Sequence, residues 1–310
     1  MVAVEMRGKR LERPIAEEIT RQTGQLVDSG HPRPLLATVL VGNDPAAHSY
    51  RTSISRTFRR LQVHHRPIDL PLESSNDEII SRVTELNLDS TVTGIMLFLP
   101  LPGRRTDAEV RELVSPLKDV DGITTHGTGL LRLGQRCLEP SCPRAGVTLL
   151  QAYGVDLSGA AVTVIGRSPV VGGPLATMLT AANATVTIAH RHTRDLASVT
   201  STADVVASAV GQPHLLRAGM VRQGATVLDF GTNVVDGHLR GDANIEELLP
   251  IASRISPVPG GTGPATSLVL AYQTMLAAHA QAADSLDGLD RAPSIGAVAQ
   301  AIAREYASIS

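Results

Sequence analysis

The sequence predicts an α/β fold divided between two layered domains. Short apolar runs such as LLATVLVG (35–42) and TGIMLFLPLP (93–102) alternate with longer segments of helical periodicity, and the rhythm restarts at AAVTVIG (160–166). At 310 residues, 43% of them hydrophobic and 19% charged, the chain has enough apolar side chains for two cores. Aromatic residues make up only 2%, with no Trp, so Val, Ile, Leu and Ala must fill those cores and each aromatic near a motif stands out.

In chain order, residues 11–28 have helical character, 35–42 is a strand ending in Gly42, and 46–62 is again helical. VHHRPIDL (63–70) reads as a strand, and NDEIISRVTELN as a helix capped by Ser75 or Asn76. TGIMLFLPLP is a buried strand broken by its prolines. Strands separated by helices of about 10–18 residues pair in parallel through crossovers. Residues 122–143 read as a loop region. Then VTVIG is a strand, Gly166 to Pro174 a turn entering a helix, and ATVTIAH (184–190) a second strand, a unit of dinucleotide-binding size. ADVVASAVG and ATVLDFGTN extend this domain to about residue 256. SPVPGGTGPAT (256–266) is a rigid loop, followed by a helix over 267–282 that returns to the first domain. The expected domains are 1–143 with 267–285, then 144–266, with 286–310 as a C-terminal extension containing an amphipathic helix.

Composition excludes several classes. A formal net charge of -2 gives no footprint for nucleic acid, and Arg56, Arg59 and Arg60 read as a solvated helix face. No run of about 18 apolar residues exists, and the N-terminus lacks the apolar core of a signal peptide, so a cytoplasmic protein without membrane contact is expected. Cys137 and Cys142 have no second pair at zinc-site spacing; free thiols and no metal are expected.

The glycine-rich turn departs from G-x-G-x-x-G, because Ser168 takes the second glycine position and the later glycines fall at 172 and 173. Helix-start N–H groups with the Ser168 hydroxyl suit a pyrophosphate, although such a turn also serves where no ligand binds. Where an NAD-binding protein places Asp or Glu against the ribose 2′-hydroxyl, this chain has His190, Arg191 and His192. Arg191 and Arg167 can pair a 2′-phosphate, which favours NADP over NAD; the alternative is that both are plain surface residues.

Six segments in order, VGNDPAAHSY, GIMLFLPLP, KDVDG, GRSPVVGGP, NATVTIAHRHT and SPVPGGTGP, resemble the methylenetetrahydrofolate dehydrogenase/methenyltetrahydrofolate cyclohydrolase family over residues 5–282. The resemblance implies two α/β domains flanking a cleft, the second a Rossmann-type NADP-binding domain, in a homodimer that takes a tetrahydrofolate derivative as substrate. It implies that Tyr50 stacks on the folate and Asp121 bonds the pterin, as the catalytic candidates. Ile54, Leu97, Phe98 and Leu99 would line the substrate pocket with the loop residues Pro259, Gly260, Gly261 and Gly263. Gly166, Arg167, Ser168, Val171, Gly172 and Arg191 match the NADP-binding positions, and Thr232 presents backbone to the cofactor.

The departures concern the catalytic centre. The family pattern is Tyr-x-x-x-Lys, one helical turn apart, but the lysine position holds Ile54 and the partner glutamine position holds Phe98. The chain has only two lysines, Lys9 and Lys118, so no shift of register restores the amine. Gly127 stands where the family has Asn, and PSCPRAG (140–146) matches its motif only loosely. Cyclohydrolase chemistry adds water to the methenyl carbon and shuttles protons, a task for a lysine whose pKa is lowered by burial. Hydride transfer is driven by the folate's own nitrogen lone pairs and needs chiefly alignment. The expectation is therefore an NADP-dependent dehydrogenase with cyclohydrolase activity lost or strongly reduced. Alternatives are a folate-binding carrier or regulator without redox turnover, or an enzyme transferring the methylene group.

Overall fold

Strands and helices alternate along the chain, as the apolar runs require. In the computed structural model, which describes residues 2–102 and 107–307, the strands are β1 (Val4–Glu5), β2 (Leu35–Val41), β3 (His64–Leu70), β4 (Gly94–Leu97), β5 (Ala161–Ile165), β6 (Thr185–Ala189), β7 (Val205–Ser208), β8 (Thr226–Asp229), β9 (Asn233–Val235), β10 (His238–Arg240) and β11 (Arg254–Ile255). Two units form: Met1–Arg13 with Cys142–Thr266 and Ile295–Ser310, and Pro14–Ser141 with Ser267–Ser294.

The second of these holds a three-stranded parallel sheet in the order β3-β2-β4. Its core joins Ala37, Val39 and Val41 of β2 to Ile95 and Leu97 of β4 and to Ile79, Val83 and Leu86 of the helix Asn76–Leu88. Those helix positions follow the i, i+4, i+7 spacing of one apolar face, and each buried aliphatic side chain contributes about 1.5–3 kcal/mol. Ser75 caps this helix in a full capping box: its Oγ accepts the Glu78 N–H at 3.2 Å, while Glu78 Oε2 accepts the Ser75 N–H at 2.7 Å.

The other unit carries a six-stranded parallel sheet in the order β1-β11-β8-β7-β5-β6. The inner strands β7 and β8 are buried along their whole length, whereas β6 lies at the sheet edge with Ile188 45% exposed. The hairpin β9–β10 turns at Asp236 and Gly237, both with positive φ, as a two-residue connection requires.

Three sequence expectations change. The supposed loop 122–143 contains the helix Thr125–Arg132 and the start of the helix Ser141–Ala152; Gly127 and Gly129 obscure the periodicity, but Thr124 Oγ1 caps the turn by accepting the Gly127 N–H at 3.2 Å. The helix read over 267–282 begins at Thr262, because Pro264 sits in the first turn where no backbone donor is needed. The extension begins as a short 3-10 helix, Leu286–Arg291, before the helix Ile295–Ala307; residues 308–310 lie outside the described residues. Tyr272, fully buried, donates its hydroxyl to Pro293 O at 2.8 Å and so ties the extension to the helix Thr262–Ala282.

Candidate active site

Of the residues assigned to folate, Tyr50, Ile54, Leu97, Phe98, Leu99 and Asp121 lie in the unit of the three-stranded sheet, whereas Pro259, Gly260, Gly261 and Gly263 lie in the six-stranded unit. Gly42, at φ +82°, turns the chain out of β2, and Asp44 then caps the helix Pro45–Arg60 by accepting the Ala47 N–H at 2.8 Å. Tyr50 is half-buried on this helix, edge-on to Phe98 with ring centroids 6.1 Å apart and planes at 80°. One turn on, Ile54 is fully buried, continuing the apolar stripe to Phe58. Phe98 follows β4 and is buried, Leu97 lies in the core, and Leu99 packs partly against it before the cis Leu99–Pro100 bond. The structure therefore brings Tyr50 and Phe98 together, and Ile54 belongs to the hydrophobic interior.

Asp121 lies in a tight acidic loop. Burial pushes its carboxyl up to about 7, the nearby Asp119 carboxylate adds repulsion, and the Ser141 hydroxyl and N–H oppose both. Asp119 is spent on the loop, accepting the N–H groups of Ile123 and Thr124 and the Thr124 hydroxyl at 3.0, 2.9 and 2.7 Å. Lys118 is also committed to structure. Its Nζ donates to the carbonyls of Leu86 at 3.0 Å and Asp89 at 2.8 Å, closing the end of the helix Asn76–Leu88, and burial lowers its pKa. It is the sole lysine of this unit.

The residues assigned to the dinucleotide lie in the six-stranded unit. Gly166 ends β5 at φ +116°, and a Cβ there would stand 2.6 Å from Ala209 O. A Cβ on Gly172 would overlap the Gly166 carbonyl, so the helix Gly172–Ala181 reaches the turn only because residue 172 has no side chain. Ser168 Oγ accepts the N–H groups of Val171 at 3.0 Å and Gly172 at 3.4 Å. These two helix-start N–H groups are thus taken up by the Ser168 hydroxyl oxygen within the turn. The side chains of Arg167 and Arg191 are exposed, and Arg191 Nε lies 3.2 Å from His192 Nε2.

Thr232 is exposed between Gly231 and Asn233 at the end of β8. In the loop after β11, Val258–Pro259 is cis, Gly260 has φ +110° and accepts the Gly8 N–H at 2.9 Å, and Gly261 is buried with no room for a Cβ beside Pro257 O. Gly263 is exposed in the first turn of the helix Thr262–Ala282. Sequence reasoning missed two buried carboxylates of this unit, Asp229 and Asp242; the acid that ends the apolar strand in VLDFGTN is a signal from which the first could have been found.

Two family profiles match successive parts of the chain. The profile of the tetrahydrofolate dehydrogenase/cyclohydrolase catalytic domain matches residues 6–121, and that of the NAD(P)-binding domain matches residues 140–282. The chain belongs to the tetrahydrofolate dehydrogenase/cyclohydrolase family. The bifunctional protein FolD of Chloroflexus aurantiacus is 42% identical over 264 residues, covering 85% of this chain and 93% of the relative. The crystal structure of the bifunctional FolD enzyme of Campylobacter jejuni has a TM-score of 0.86 at 35% identity, covering 90% of this chain and 99% of that one. The Trypanosoma brucei FolD structure, complexed with NADP cofactor and inhibitor, gives 0.86 at 29% identity, covering 92% and 100%. A two-domain α/β fold with a Rossmann-like NAD(P)-binding domain is thereby established for this family member. Among the described residues no helix is long and apolar enough to cross a membrane, and no acidic, His or Cys cluster has the arrangement of a metal site.

Proposed function

We propose that this family member oxidises 5,10-methylenetetrahydrofolate to 5,10-methenyltetrahydrofolate with NADP, and that it has lost or nearly lost cyclohydrolase activity. The observation that carries the second half is Ile54: it is fully buried one turn after Tyr50, with Phe98 against the tyrosine, where the family pattern has a proton-shuttling lysine and a glutamine. Apolar side chains neither move protons nor hold a water for attack on the methenyl carbon. Tyr50 stacks on the folate and Asp121, held near neutrality by burial, hydrogen-bonds the pterin. Leu97 and Leu99 set the pocket wall, with Pro259, Gly260, Gly261 and Gly263 forming its loop.

The turn at Gly166 and Gly172 fits a dinucleotide, because a Cβ at either position would clash with backbone, so strand, turn and helix start approach as closely as such a site requires. Bound NADP supplies the hydride acceptor. Arg167, Ser168, Val171 and Arg191 hold its phosphates, Arg191 choosing the 2′-phosphorylated form, and Thr232 offers backbone. The absence of an acidic residue in the His190–Thr193 turn favours NADP over NAD. The working unit is a homodimer in which 1–143 with 267–285 bind folate, 144–266 bind NADP and 286–310 form an extension. Mixing purified protein with methylenetetrahydrofolate and NADP tests the reading: absorbance of NADPH should rise with the methenyl product, and no NADP reduction would sink it.

A further inference from the structure

Asp229 ends β8 and Asp242 follows β10, and both are buried, at 2% and 0% exposure. Every partner of the Asp242 carboxylate is a donor. Its Oδ2 accepts the Ser208 hydroxyl at 2.9 Å and the N–H groups of Val210 and Gly211 at 2.9 and 3.3 Å. Its Oδ1 accepts the Gln212 N–H at 2.9 Å and the Asn233 side-chain amide at 3.1 Å. Asp229 accepts the N–H groups of Gly231, Asp242 and Ala243 at 2.7, 3.0 and 2.8 Å.

These bonds fall on particular segments. Asp229 fixes the residue before Thr232, and Asp242 fixes the residue after it. Asp242 also fixes the segment 210–212, which continues from Ala209, the residue whose carbonyl closes over the Gly166 turn. Gly231 and Gly241 complete the arrangement, since a Cβ on either would run into Asp242 or Asp229. The loops leaving β7 and β8 at the carboxyl ends of a parallel sheet, where such sheets bind ligands, are thus held from beneath by two carboxylates that do not themselves reach outward.

We propose that Asp242, braced by Asp229, is a positioning residue for the dinucleotide: it fixes the loops 209–212 and 231–233 so that the backbone of Thr232 is presented in one conformation. The proposal rests on the NADP reading above. A carboxylate is required because both oxygens face only donors; an asparagine would set its NH₂ against at least two of them. The partners gain charge-assisted bonds, and a lost acceptor leaves backbone N–H groups unsatisfied in a buried place.

The test uses the full chain and calorimetric titration with NADP, alongside steady-state kinetics and thermal melting. Asp242→Asn should weaken NADP binding about tenfold and raise the KM for NADP equally, with kcat at saturating NADP changed less than about twofold. Val221→Ala, a cavity variant in the core of the same unit, should lower the melting temperature and leave NADP affinity unchanged. Asn233→Ala removes one partner of Asp242 without touching the carboxylate, so it should weaken NADP several-fold even where Asp242→Asn fails to fold. NADP affinity unchanged in Asn233→Ala, or lost equally in Val221→Ala, overturns the proposal. A wild-type chain that does not bind NADP overturns the functional reading first and this inference with it, which separates the two failures.

Discussion

Replacing Gly172 by alanine is the sharpest perturbation the dinucleotide turn allows. The new Cβ would overlap the Gly166 carbonyl oxygen and stand 2.6 Å from Gly166 C and 3.0 Å from Arg167 N. Moving that carbonyl carbon from 2.6 Å to an ordinary contact of about 3.4 Å displaces the turn by at least about 0.8 Å, and relieving the closer oxygen takes more. All three atoms are backbone, so no side chain can swing aside. Overpacking of this kind costs about 1–3 kcal/mol. Expressed wholly in the cofactor-binding conformation, it weakens NADP binding by about 5- to 150-fold. The neighbouring Gly173 supplies the control: its Cβ would meet only Ser168 O, at 3.3 Å, and Gly173→Ala should bind NADP within about twofold of wild type. Calorimetric titration of both variants, with melting curves to confirm folding, decides the matter. Equal NADP affinity for Gly172→Ala and wild type, or equal losses for the two variants, would refute the reasoning.

Three further outcomes are expected. Arg191→Ala should weaken NADP about tenfold and leave NAD binding nearly unchanged, measured by titration with each nucleotide; equal losses would remove the 2′-phosphate contact from the account. The double change Ile54→Lys with Phe98→Gln should restore measurable methenyl hydrolysis, whereas Ile54→Lys alone, placing an ammonium in a fully buried site, should chiefly lower stability by several kcal/mol. For Asp121 the folded pKa is raised, so its carboxyl favours the folded state while protonated and that contribution is lost as pH climbs from about 4 to about 7. Melting temperatures of Asp121→Asn and wild type should therefore diverge in favour of the variant across that window, and parallel curves would contradict the buried, repelled carboxyl.

Local signals in the sequence carried much of the fold. Ser75 and Glu78 announce their helix through a reciprocal cap that needs nothing beyond four residues, and the Asp44–Pro45 pair does the same for the helix bearing Tyr50. The glycines at 166 and 172 were legible because a strand, a tight turn and a helix can approach so closely only without side chains. The helix Thr125–Arg132 was hidden because its glycines lower helix propensity and its cap is tied to Asp119 through Thr124. The pairing of the two-residue β1 with β11 depends on contacts from opposite ends of the chain, which no local pattern records. The same holds for Asp242, whose partners come from the loops after β7 and β8. At position 54 the sequence shows an isoleucine, and the structure adds that it is fully buried, with Tyr50 edge-on to Phe98.

The central claim is that hydride transfer is kept and water chemistry abandoned, and the rate of methenyltetrahydrofolate hydrolysis by the purified chain tests it most directly. With NADP reduction established in the same preparation, the methenyl absorbance should decay no faster with protein than in buffer alone. Protein-dependent decay at a rate comparable to NADP reduction would contradict the account and require a proton shuttle other than a side chain at position 54.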